Sequence, residues 1–127
     1  MNITDDLFIG GLSSGRNYND ANASQKPNIY FLSAFEKVDG FKILLCHHPE
    51  YYKKYLYDRN IDLIISGHAH GGQVRFLNQG LFAPGQGLFP KFTSGMHDGK
   101  LIVSRGIAGT ELFPRINNSA EIVYIIV

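Results

Sequence analysis

The sequence has 127 residues, 44% hydrophobic and 13% aromatic, with a formal net charge of +1. That is enough apolar material for one globular core, and it excludes collagen, coiled coil and general disorder. Twelve Lys and Arg against eleven Asp and Glu leave no positive surplus for gripping a phosphate backbone, so no nucleic-acid partner is expected.

Along the chain, Leu7–Leu12 is a short apolar run ending at Ser and Gly, which predicts a strand entering a loop. Residues 13–28 are rich in Ser, Asn, Asp and Gly and read as a surface loop. From Ile29 to Val38, Tyr30, Ala34, Phe35 and Val38 fall at helical spacing, which predicts a short amphipathic helix. Lys42–Cys46 has a buried-strand pattern. Pro49 can open a helix, and Tyr51, Tyr52, Tyr55 and Leu56 then recur at helical spacing over about ten residues. Asp62–Ser66 is the next apolar run. Strand, helix and strand in this order predict a βαβ unit with parallel strands covered on both faces.

After Gly67, closely spaced glycines and prolines point to loops and short strands. Phe92–Met96 and Lys100–Ser104, separated by His97-Asp98-Gly99, predict a β-hairpin whose Asp-Gly supplies positive φ angles. Glu121–Val127 predicts a closing strand. The apolar runs fall far short of the roughly 20 residues of a membrane helix, so no transmembrane segment is expected. No signal peptide is legible at the start. The lone Cys46 excludes an internal disulfide and suits a reducing, cytoplasmic compartment.

Four of the five histidines form two clusters, His47-His48 and His68-Ala69-His70, and each directly follows one of the two parallel strands. Ligands of open α/β sheets bind beyond the carboxyl ends of strands, so His47 and His68 should meet at one rim. Imidazole suits Zn, Mn, Fe and Ni and is neutral above a pKa of about 6.5. Glycines on both sides of His68-Ala69-His70 let the backbone turn sharply and approach a ligand.

Leu44-Leu45-Cys46-His47-His48-Pro49-Glu50 followed by Ser66-Gly67-His68-Ala69-His70-Gly71-Gly72-Gln73 resembles the last two metal motifs of the calcineurin-like metallophosphoesterases. Ala83–Gly95, Ser104–Gly109 and Pro114-Arg115-Ile116-Asn117-Asn118 are similar to the C-terminal part of its bacterial YkuE-type branch. The likeness covers about residues 40–127. It implies an α/β (α+β) fold, the C-terminal half of a four-layer αββα sandwich, with residues 1–127 forming one partial phosphoesterase domain. It implies hydrolysis of phosphate mono- or diesters by two divalent ions (Mn, Fe or Zn), which would polarise the phosphoryl oxygens. By the family's His-x-Pro and Gly-His-x-His patterns, His47, His68 and His70 are the metal ligands.

The family's N-terminal motifs, Asp-x-His, Gly-Asp and Gly-Asn-His, do not occur in the sequence. The resemblance therefore implies that the remaining ligands and the catalytic residues lie in an N-terminal half, as would any membrane anchor or export signal. Without that half an oligomer is the expected state, because an exposed sheet face and strand edge favour association. The competing readings are a catalytically inactive remnant and a non-catalytic metal-binding or interaction module.

The remaining polar residues have plainer expected roles. His48 reads as a residue behind the ligands or at the surface rather than a ligand, and His97 as a solvated turn residue. The tyrosines at 51, 52, 55 and 57 read as packing. Arg105 and Arg115 can hold a phosphate bidentately, although structural pairing is the favoured reading for both. Gln73 can orient a metal-bound group, and Cys46 reads as a small apolar filler.

Overall fold

The computed structural model describes residues 2–4 (backbone alone), 6–13, 26–108 and 114–126. Most of the predicted loop at 13–28 lies outside the described residues. The fold is mixed α/β and sheet-rich. One sheet has six strands: β1 (Asn2–Thr4), β2 (Leu7–Leu12), β3 (Phe41–Cys46), β4 (Leu63–Ser66), β9 (Gly95–His97) and β10 (Leu101–Val103). Their order is β1-β2-β3-β4-β10-β9. β2, β3, β4 and β10 are mutually parallel, and β1 and β9 flank them antiparallel.

Helix α1 (Ile29–Phe35) lies between β2 and β3 in sequence. Asn28 caps it, its side chain accepting from the Phe31 backbone N–H at 3.0 Å, which satisfies one of the orphan donors of the first turn. The helix is shorter than predicted and buries Leu32 and Phe35, while Tyr30 is 90% exposed.

The β3–β4 crossover also differs from the expected α-helix. It contains a π-helical turn, Tyr52–Leu56, in which the Tyr57 N–H donates to Tyr52 O at 2.8 Å. The wider turn still presents Tyr52 and Leu56 to the core, both fully buried. Lys53 lies 3.8 Å from the centroid of the Tyr57 ring and 2.7 Å from Asp98, tying the crossover to the β9–β10 turn.

On one face of the sheet, Leu44, Cys46, Ile64, Leu101 and Val103 pack with Leu32, Phe35, Tyr52, Leu56 and Phe92. Each Leu or Ile fully buried there contributes about 1.5–3 kcal/mol. The opposite face holds a smaller cluster of Ile43, Leu63 and Ile102, with Leu7, Ile9, Ile65 and Ile125 against it. The expectation that both faces are covered is met only in part. Phe41, Leu45 and Met96, on that second face by register, are 42%, 46% and 61% exposed.

The β9–β10 hairpin closes as expected: Asp98 and Gly99 both have positive φ, and the Lys100 N–H donates to His97 O at 3.0 Å. Its first strand is confined to Gly95–His97, because Phe92 turns into the core instead. Between β4 and β9, two further two-stranded pieces form from β5 (Arg75–Phe76) with β6 (Gln79–Gly80), and β7 (Phe82–Ala83) with β8 (Gly87–Leu88). The predicted closing strand is corrected. Residues 121–126 join no sheet, and Ile122, Tyr124 and Ile126 are exposed, because alternating apolar residues make a strand only where an edge offers backbone partners. Among the described residues, no helix is long and apolar enough to cross a membrane.

Candidate functional site

The β3–β4 pairing, Leu44 opposite Ile64 and Leu45 opposite Ile65, sets the carboxyl ends of the two strands side by side. The residues that follow are His47 and His68, and His68 Nδ1 lies 3.1 Å from His47 Nε2. The two rings are 4.8 Å apart between centroids. The juxtaposition expected at this rim is present.

Strand parity decides which of the two adjacent histidines is buried. Leu44 and Cys46 face the main core, so His48 continues on that side while His47 continues on the other. His48 is accordingly 2% exposed and His47 is exposed. Of the two places expected for His48, behind the ligands or at the surface, its burial beside the histidine pair fits the first. Its ring lies 4.7 Å from that of His68 and 5.1 Å from that of His47, and its Nδ1 is 3.6 Å from Glu50 Oε1.

His48, Glu50 and His68 together offer ligand atoms that all lie within 4.8 Å of one another, a donor set of two imidazoles and a carboxylate that suits a divalent metal. Burial pushes His48 down to about 4, with the neighbouring His47 adding to the shift. His68 is also lowered to about 4, mainly by burial, against the opposing pull of Glu50. Both imidazoles are therefore neutral near pH 7, the form that donates a lone pair. The sequence reading missed Glu50 as a member of the group; its position just after Pro49, on the turn that reverses the chain, was the available signal.

His70 begins a 3-10 turn, His70–Gly72. Its Nδ1 lies 3.3 Å from Ala108 O. In the tautomer that donates this bond, Nε2 is left with its lone pair, the arrangement by which a carbonyl fixes a ligand imidazole. The backbone around it is unusual: His68, His70, Gly71, Gly72 and Gln73 all have positive φ. A Cβ on Gly71 would run into the Asn118 amide, and one on Gly72 into the backbone of Gly80. Only glycine fits either place.

Asn118 holds this loop from outside. It is 4% exposed, and its Nδ2 donates to His70 O at 2.7 Å and to Gln73 O at 3.1 Å. The Arg75 N–H donates to Ile116 O at 3.0 Å, and the Ile116 N–H to Gln73 O at 3.3 Å, so residues 116–118 zip along 73–75. Sequence reasoning quoted Pro114–Asn118 only as part of a resemblance and missed this clamp, because nothing local in the sequence reports a contact 48 positions away.

The other singled-out residues are each held by neighbouring parts of the fold. Cys46 is 2% exposed and its thiol is pushed up to about 11, chiefly by burial, so it is the expected filler. Gln73 is buried at the end of the histidine loop. His97 is not the expected solvated turn residue: its ring meets that of Phe92 edge-on at 5.0 Å, and its Nε2 lies 3.1 Å from Ser94 O. Arg105 pairs with Glu121 at 3.3 Å, and Arg115 donates to Arg105 O at 2.6 Å and to Ala108 O. Ala108 O is thus shared by Arg115 and His70.

The chain is similar to a protein of Bacillus subtilis (strain 168) described as "Uncharacterized protein YpbG", 34% identical over 94 residues that make up 72% of this chain. Those residues are 34% of the relative, so the chain spans about a third of its length. No family model matches the chain. No solved structure matches it significantly.

Proposed function

We propose that the chain is the histidine-bearing part of a divalent-metal-dependent phosphoesterase of the calcineurin-like type, acting on phosphate mono- or diesters. The observation that carries this reading is the approach of His47 Nε2 to His68 Nδ1 at 3.1 Å, at the carboxyl ends of adjacent parallel strands. His47, His68 and His70 would hold the metal, with Ala108 O orienting His70 and Asn118 fixing the loop that carries it. A bound pair of divalent ions would supply an activated water and charge stabilisation for in-line displacement at phosphorus. The histidines' own task is to hold those ions, and the loop clamp keeps the rings aimed.

The reading places the remaining ligands on a part of the enzyme beyond these motifs, the other half of a four-layer sandwich. The open sheet face with Phe41, Leu45 and Met96 exposed is where a second layer would pack. The test is hydrolysis of p-nitrophenyl phosphate and bis(p-nitrophenyl) phosphate with Mn²⁺, by a protein carrying this chain together with such a half. Activity that requires the metal and falls more than tenfold in His68→Ala is expected. Metal-independent activity, or an unaffected His68→Ala, would contradict the reading.

One observation favours a second reading, a simple metal-binding module. His48, Glu50 and His68 already form a compact three-ligand group within this chain alone. If Glu50→Gln abolishes metal binding while His70→Ala leaves it intact, the second reading displaces the first.

A further inference from the structure

We propose that a cavity next to the histidine loop is a binding site for an oxyanion, a phosphate or carboxylate group carried by a small organic ligand. The cavity measures about 670 Å³, within the range that accepts such molecules. Arg75, Arg105, Asn117 and Glu121 form its polar wall, and Phe76 and Leu77 its apolar one.

Charge decides what the cavity takes. Arg75 is only 8% exposed, yet the groups that accept its hydrogen bonds are all neutral. Its Nη1 donates to Gly71 O at 2.8 Å and Thr93 Oγ1 at 3.2 Å, and its Nη2 donates to Asn78 O. Among the described residues, no carboxylate forms an ion pair with it. Glu121 is committed to Arg105 twice, through the guanidinium at 3.3 Å and through the Arg105 backbone N–H at 2.9 Å. The wall therefore carries two guanidinium charges against one carboxylate, and Arg115 sits behind it, bonded to Arg105 O.

Burial and the neighbouring Arg105 both disfavour the Arg75 charge, and Glu121, the carboxylate that acts on it, is shared with Arg105, so the buried guanidinium is only partly compensated. An oxyanion entering the cavity would supply the missing counter-charge and meet the planar donor forks that arginine presents. A cation would meet a net positive wall, and a neutral apolar ligand would leave the Arg75 charge only partly compensated. The exposed Phe76 and Leu77 side chains, 66% and 85%, supply contact for the organic part of the ligand. The inference is independent of the metal reading, since none of the clustered histidines is among the described lining residues.

The test is isothermal titration calorimetry of the 127-residue chain in metal-free, low-salt buffer, with phenyl phosphate, inorganic phosphate and benzoate as probes. Saturable binding of phenyl phosphate is expected, tighter than inorganic phosphate, and weakened by added salt. Arg75→Lys keeps the charge but loses the fork, and should weaken binding at least about tenfold. If that variant does not fold, because Arg75 also holds Gly71 and Thr93, Arg105→Met leaves those bonds in place and should show the same loss. Benzoate binding as well as phenyl phosphate would identify a carboxylate as an equally good source of the oxyanion. Absence of binding by all three probes, or unchanged binding in Arg105→Met, would overturn the proposal.

Discussion

His47 Nε2 and His68 Nδ1 lie 3.1 Å apart although 21 positions separate the two residues. The parallel register of β3 on β4 brings their strand ends together, and a tight turn at His68, closed by the Ala69 N–H on Gly67 O at 2.7 Å, sets its ring. Replacing either by alanine removes an imidazole from the cluster and leaves the β3–β4 ladder in place. His68→Ala should therefore keep its far-UV circular dichroism and lose at least about tenfold in Zn²⁺ or Mn²⁺ affinity, measured by competition with a chromogenic chelator. Loss of the folded spectrum would mean that His68 serves packing instead.

The two sheet faces should respond differently to truncation. Ile64 is fully buried among Leu44, Leu101 and Val103, whereas Leu45 is 46% exposed on the other face. Ile64→Ala should cost about 2–5 kcal/mol and Leu45→Ala under about 1 kcal/mol, read from urea midpoints. Equal losses would mean that the face of Leu45 is covered in solution.

The Asn118 clamp has a stability signature of its own. Asn118→Ala removes the donor to His70 O and Gln73 O and leaves buried carbonyls short of a partner. A loss of about 2 kcal/mol is expected, together with faster hydrogen exchange at the Gly72 and Gln73 amides, whose N–H groups bond within the same loop. Unchanged exchange there would contradict the clamp.

Cys46 supplies a chemical test of the core. Its thiol is 2% exposed and raised to about 11 by burial, and thiolate is the reactive form. At pH 8 the folded chain should react with iodoacetamide far more slowly than the urea-unfolded chain, in which the thiol returns to about 8.5. Equal rates would mean that the end of β3 is open.

Much of the sheet was legible because strands declare themselves locally. Leu7–Leu12, Lys42–Cys46 and Asp62–Ser66 are short, mostly apolar runs, and Asp98-Gly99 is a turn that its own φ requirements announce. The π-helical turn was not legible, since Tyr52 and Leu56 reach the core from an α-helix or from the wider turn. Residues 121–126 have strand composition but take no place in a sheet, and pairing is not a local property. At the site, His47 and His68 were legible from their place after two strands. The burial of His48 follows from strand parity, which the motif comparison passed over. The roles of Glu50 and Asn118 depend on contacts that close only in three dimensions.

The most direct measurement is metal content by elemental analysis of the purified chain after equilibration with Mn²⁺ or Zn²⁺ and gel filtration, alongside His47→Ala and His70→Ala. Bound metal in the parent chain and a clear loss of it in both variants are expected. Metal retained undiminished in both variants would contradict the assignment of these histidines as ligands.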